Sequence, residues 1–468
     1  MLTDLVYFYE NSLRCKENSF LFDQLNENEK ELFSLSLDQK SDRFLANKIY
    51  GKSPSHQTYQ SLKKNLIDKI LSSILLTNKG YTIQRLRAKI YRRVLAVQIL
   101  DLFGVRQIMK SLGKKVLSQC LSHHMYYEAA GIARLLFTHF TVFEKDIENG
   151  EIYYETAQKS WDIYRAELEI QMDYSRILYL FQGRNFTKLS KEYGITASKY
   201  VSKLEYWNSS RIYTFYYLIE YARSYAENNL DECIDICKTA IDYYDSLSFN
   251  YEISKAGFVF QLVNCYLEQS EFAKAELIIQ TFLDETPDKF SQYYRFQELR
   301  FRINMYMNDL EKANDSFAYL KKNVRKMENG FSKDRLLIYE LYLDILNGRE
   351  SNIRRLKYNM NKIQQDKKGT YIPFMLGIAV QLYIHDIDKF IDNYEALVQY
   401  SYRYMQDDEY KRTRQFIKVL GKLLDYEIIE DMELDVEKEQ LSRTSLEIIP
   451  YENLIQLLVN TKVQEAIA

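Results

Sequence analysis

Four prolines and fourteen glycines in 468 residues leave this chain starved of the residues that punctuate turns. A β-rich fold spends many Gly, Pro and Asn-Gly pairs on its connections. This chain cannot supply them, so helices are expected almost throughout and the expected fold class is all-α. Apolar residues at 46% and charged residues at 27% suit folded cores and are too apolar for disorder. The length suits two or three compact domains or one extended array. The longest apolar runs, VLAVQIL before Asp101 and FMLGIAVQLYI from Phe374, reach about half of the 18 or so residues that a membrane helix needs. MLTDLVYFYENSLRCK has no charged leader followed by an apolar block, so no secretion signal is expected. Cys15, Cys120, Cys233, Cys237 and Cys265 are few and odd in number, which points to a reducing cytoplasm. Sequons such as Asn185-Phe186-Thr187 are then chance matches.

Charge is unevenly placed. Residues 40–115 hold seventeen Lys/Arg against three acids, while the whole chain is −2. Residues 425–439 hold eight acids against Lys438. Asymmetry of this kind marks interaction surfaces. The candidate basic patch comprises Lys63, Lys64, Arg85, Arg87, Lys89, Arg92, Arg93, Arg106, Lys110, Lys114 and Lys115. These side chains are suited to neutralising phosphates, to an acidic protein, or to the chain's own acidic tail. No DNA- or RNA-binding motif accompanies them, which favours a protein partner over nucleic acid.

Residues 55–76 carry Leu62, Leu66, Ile70 and Ile74 in four-residue steps, and residues 81–102 and 105–121 continue in the same helical style. From about Val116 onward the helices come in pairs. In AGFVFQLVNCYLEQSEFAKAELIIQTFLDETPD (256–288), Val259, Leu262 and Tyr266 share one face, a polar break follows, and Phe272, Ala275, Ile279 and Phe282 resume before Pro287. This stretch resembles a tetratricopeptide repeat, whose pattern runs W-x2-L-G-x2-Y, then A-x3-F, then P. Val259 stands in the Trp slot, Leu262-Val263 in the Leu-Gly slots, Tyr266 in the Tyr slot, Ala275 and Ile279 in the Ala and Phe slots, and Pro287 beyond. Ala313 and Phe317 supply A-x3-F in the next copy, and Cys233-x3-Cys237 stands there in the previous one. Further pairs are expected at 336–346 with 353–363 and at 373–384 with 387–404, and residues 126–140 suggest an earlier pair. The resemblance implies a right-handed α-solenoid of helix pairs, in which each pair buries its apolar face on its neighbours. The expected organisation is a basic helical region over 1–115, the TPR-like solenoid over 116–425, and an acidic segment with a C-terminal amphipathic helix over 426–468.

ANKIYGKS (46–53) fits the loose P-loop pattern, but a working P-loop follows a buried strand and runs on as a helix through Lys-Ser. Pro54 forbids that helix, and FLANK reads as helix rather than strand. GKSPS is expected to end one helix and begin the next. Cys120, His123, His124 and nearby His139 are the densest group of metal-ligand types. No second Cys/His pair stands at zinc-finger spacing, so a loop histidine pair between stacked helices is the better reading. Cys233 and Cys237, one helical turn apart, read as compact buried hydrophobes. No Ser/His/Asp or Cys/His grouping is recognisable. Most of the 41 tyrosines, with Trp161 and Trp207, are expected in the repeat core, although such an excess also suits an amphipathic groove. The expectation is a non-catalytic, cytoplasmic scaffold without cofactor or metal that binds a protein or peptide, with a homodimer as one further association it could form. A nucleic-acid-binding regulator using residues 40–115 is the alternative.

Overall fold

The computed structural model describes the chain except residues 1, 8, 11–19, 39–40, 77–81, 183–198, 201–203, 205, 248–251, 287–291, 325–332, 359–366, 368, 407–409, 425–446 and 468. The described residues are helical with short connections, and no strand occurs among them. The chain forms two compact units, residues 1–227 with 242–254 and residues 228–241 with 255–468.

In the N-terminal unit, α1 (Leu2–Tyr7), α2 (Phe20–Gln24), α3 (Glu27–Leu37), α4 (Asp42–Tyr50) and α5 (Gln57–Leu76) enclose one apolar core. The expected stripe on α5 faces it, with Leu62, Leu66 and Ile70 buried and Ile74 packed at its edge. The start of α3 is fixed by a capping box: Asn26 accepts from the Glu29 N–H and Glu29 from the Asn26 N–H, each at 2.9 Å. Next, α6 (Thr82–Leu102), α7 (Arg106–Ser122) and α8 (Tyr126–Thr138) pack in sequence around Val97, Val116 and Leu136. A π-helical turn, His139–Glu144, leads into α9 (Ile147–Gln182), which at 36 residues is the longest helix described. It packs on α8 and on α10 (Ser210–Ala226). The division expected at 115/116 falls inside the continuous helix α7.

The helix α11 (Leu230–Ser246) is divided between the units. The C-terminal unit then runs through pairs: α12 (Glu252–Glu268) with α13 (Phe272–Glu285), α14 (Tyr293–Tyr306) with α15 (Leu310–Asn323), α16 (Lys333–Leu346) with α17 (Ile353–Tyr358), and α18 (Tyr371–His385) with α19 (Ile387–Tyr404). After α20 (Lys411–Lys422) comes α21 (Tyr451–Ile467). Successive helices pack on one another, and α16 also packs directly on α18. Gly377 permits that approach, since a Cβ there would meet Leu341 Cδ2 at 2.8 Å.

One turn recurs in both units. Gly104, His124, Ser270, Asn308 and Gly348 have φ between 53° and 69°, the left-handed region. The N–H after each reaches five residues back, as in Met125 to Cys120 and Glu271 to Tyr266, both at 2.8 Å. This is the Schellman closure, which satisfies carbonyls left over at a helix end. It reverses the chain in so few residues that the fifth residue after the left-handed one lands against the preceding helix. Met109, Ala129, Ala275 and Ala313 hold that place and are buried, while Ile353 after Gly348 is half-buried. Asn228 (φ 57°) and buried Cys233 stand in the same relation. From Asn228 through Ser270 and Asn308 to Gly348 the left-handed residues are 42, 38 and 40 positions apart. No described helix is long and apolar enough to cross a membrane.

Candidate interaction surface

The C-terminal helix α21 lies on the first helices of the C-terminal unit's pairs. Its amphipathic face supplies Tyr451, Leu454, Ile455 and Leu458, all buried in one core shared with residues of α14 to α20, and the helix packs directly on α18. Burial of each large apolar side chain stabilises by about 1.5–3 kcal/mol, so these four anchor the helix. The polar end fixes its register. The Tyr306 hydroxyl at the end of α14 donates to the Glu447 carbonyl at 2.7 Å. Arg412 on α20 grips both carboxylate oxygens of Glu447 and donates to Glu452 at 2.6 Å. The Glu447 carboxylate also accepts the Tyr451 N–H at 3.1 Å, satisfying the first turn of α21. Tyr451 stacks on Phe416 with centroids 4.3 Å apart. Burial pushes the Glu447 carboxyl above its ordinary range, and Arg412 opposes that shift. The chain's own amphipathic helix, with Glu447 and Glu452 at its start, is thus held by apolar packing and by Arg412.

Leu262, Tyr266, Ala275, Ile279, Ala313 and Phe317 are all buried. Pro287 lies outside the described residues. The acidic segment 425–439 does too, so its relation to the basic residues is not described.

The basic candidates stand in different local settings. Lys63 is paired with Asp42 on α4. Lys110 pairs with Glu144 at 2.6 Å, and Lys110 and Lys114 sit over the Phe140 ring. Arg106 lies 3.6 Å over Phe143, and Arg93 donates to Gln119 at 2.8 Å. Arg87, half-buried, is near enough to His123 and His124 to lower both their pKa values. Lys64, Arg85, Lys89 and Lys115 are exposed, and Arg92 is half-buried. Arg85, Lys89 and Arg92 share one face of α6 at spacings of four and three.

ANKIYGKS closes α4. Gly51 is left-handed (φ 62°) and donates to the Asn47 carbonyl, Ala46 is fully buried, and Lys52 and Ser53 are exposed beyond the helix end. His123 and His124 form the turn between α7 and α8, and His124 Nδ1 accepts the Ser210 N–H at 2.9 Å. Burial, helped by Arg87, lowers the His124 pKa to about 4, so the ring is held neutral as an acceptor. The described thiols, Cys120, Cys233, Cys237 and Cys265, are buried: a hydrogen bond with Cys265 and burial push Cys233 upward, and burial pushes Cys120 up to about 12. Among the described residues no three His, Cys, Asp or Glu side chains converge as metal ligands. Trp161, expected in the core, is 45% exposed on α9. The hydrophobic spacing of residues 450–458 made α21 legible as amphipathic, but Tyr306, Arg412 and Glu447 carried no sequence signal that they converge. No family model, curated protein or solved structure matches the chain.

Proposed function

We propose that this protein is a cytoplasmic adaptor that works by binding rather than catalysis, with a right-handed TPR-like solenoid as its binding element. Its partner is a protein segment that forms an amphipathic helix with an acidic first turn and docks on the first helices of the C-terminal unit. The observation that carries this reading is α21 itself, seated there through Tyr451, Leu454, Ile455 and Leu458 and latched by Arg412. Helix-in-groove recognition uses the same i, i+3, i+4, i+7 anchors. The repeating left-handed turns and buried small residues at about 40-residue intervals support the repeat character. The test compares the wild-type chain with Leu454→Asp, which loosens α21, as baits in the native cell. Partners recovered better by the variant, and displaced by a synthetic peptide of residues 447–467, support the proposal. Recovery that is indifferent to both the variant and the peptide would overturn it.

A further inference from the structure

We propose that a second copy of this chain docks antiparallel along the outer face of α9. The helix turns its inner face to the core through Ile163, Ala166, Ile170 and Ile177. Its opposite face exposes Ile147, Tyr154, Trp161, Leu168, Met172 and Tyr179. The first four follow at seven-residue steps, and Met172 and Tyr179 are again seven apart. At 3.6 residues per turn all six fall within an arc of about 60°, along roughly 48 Å of helix. A seven-residue repeat of this length is the signature of a left-handed helix pair, since a stripe serving only a globular core drifts around a straight helix. Contiguous exposed apolar surface on this scale marks an interaction site.

The charges beside the stripe choose the occupant. Glu151, Asp162, Arg165, Glu169 and Arg176 lie along one flank, and Glu169 pairs with Lys199 at 3.6 Å within its own chain. In an antiparallel pair related by a two-fold axis, each flank meets the same flank of the other copy. With the axis between residues 163 and 164, Glu151 falls opposite Arg176 of the second copy, and Asp162 opposite its Arg165. The same register sets Tyr154 beside Met172 and Ile147 beside Tyr179 of the other copy. A parallel pair would instead set this flank against the opposite one, where Ala157, Tyr164 and Ser175 offer no charge to pair with. Arg176 is 63% exposed and contacts Asp173 within its own chain at 3.6 Å, so its head is accessible. At the axis stands an aromatic group, with Tyr127 5.1 Å and Trp161 5.6 Å from Tyr164 between ring centroids. Aromatic side chains at the centre of a contact carry much of its affinity.

The test is sedimentation velocity of the full chain across the micromolar range, where a stripe of this size is expected to associate. The wild type should show a monomer–dimer equilibrium. Leu168→Glu and Met172→Glu, both at exposed sites, should leave it monomeric with an unchanged circular-dichroism melt. Glu151→Arg alone should weaken the dimer by about tenfold or more through like-charge contacts, and adding Arg176→Glu should restore most of that loss. A wild type that stays monomeric overturns the proposal, as does a double variant no better than the single one. So does open-ended assembly abolished by Leu95→Glu, which would mean that α9 meets the exposed face of α6 head to tail.

Discussion

The two units are of similar length, yet the N-terminal one exposes twenty large apolar side chains among its described residues and the C-terminal one five. The helices themselves do not account for this, because both units use the same left-handed turns and buried small residues. The difference lies in what covers the outermost apolar face. In the C-terminal unit that cover is α21, which comes from the same chain. In the N-terminal unit the stripe on α9 stays about half exposed or more among the described residues. An array of paired helices always has apolar surface left where stacking stops, and each unit has a different provision for it.

Removing the cover is the largest perturbation available. Arg412→Ala leaves the buried Glu447 carboxylate, which also accepts the Tyr451 N–H, without its cation. Breaking one partner of a buried pair costs about 3–5 kcal/mol. Urea unfolding should register that loss, and residues 447–467 should become protease-sensitive. An unchanged unfolding midpoint would show that the apolar anchors alone hold α21, and the contrast between the units would then lose its polar latch.

Next in size is packing inside a pair. Ala275 is fully buried five residues after Ser270, where the turn brings α13 against α12. Ala275→Leu should cost about 1–3 kcal/mol by overpacking, read as a lowered urea midpoint with unchanged slope. The corresponding change at exposed Leu277, Leu277→Ala, should stay within about 0.5 kcal/mol. Equal effects at the two sites would mean that the turn does not set the contact.

These residues also show what was legible from sequence and what was not. Helix positions follow hydrophobic spacing, so the expected helix at 55–76 is observed as α5 at Gln57–Leu76, and 387–404 is observed as α19. The small residues Cys233, Ala275 and Ala313 were legible because close helix contact demands them. The turns were harder to see, since the left-handed residue is Gly in two places but His124, Asn228, Ser270 and Asn308 elsewhere. The long helix α9 was not anticipated at all. It carries apolar residues on both its faces, so the one-sided periodicity that announces a surface helix is blurred. Likewise the convergence of Arg412 with Glu447 is tertiary, and residues 35 positions apart leave no local pattern.

In the N-terminal unit the third effect is a pH dependence. His124 has a folded pKa lowered to about 4, chiefly by burial, and His123 is lowered by the same cause. As pH falls below about 6.5 the unfolded chain takes up protons that the folded one refuses. Stability is therefore complete above about 6.5 and is lost progressively down to about pH 4. The part due to His124 should be on the order of 1–2 kcal/mol, allowing for solvent screening of a half-buried ring. His124→Asn keeps a side-chain acceptor for the Ser210 N–H and tolerates the left-handed backbone. It should flatten the acid limb of a stability–pH curve, and an unaltered slope would assign that limb to other groups.

The smallest effect tests whether the turn shared by both units is one structural device. Ser270 (φ 61°) and Gly348 (φ 65°) occupy the same place in their pairs, and each is followed by an N–H reaching five residues back at 2.8 Å. An L-residue held in the left-handed region costs roughly 1–2 kcal/mol, whereas glycine adopts it freely and loses more chain entropy on folding. The two terms oppose each other, and the steric one is the larger at a fixed left-handed position. Ser270→Gly should therefore raise stability by up to about 1 kcal/mol, and Gly348→Ser should lower it by a similar amount. A Cβ at Gly348 meets no atom within 4 Å, so the loss there would come from the backbone alone. Opposite signs in thermal melts of the two variants would show a single turn geometry read by different side chains. The same sign in both would mean that the turns resemble each other in φ but are held by different surroundings.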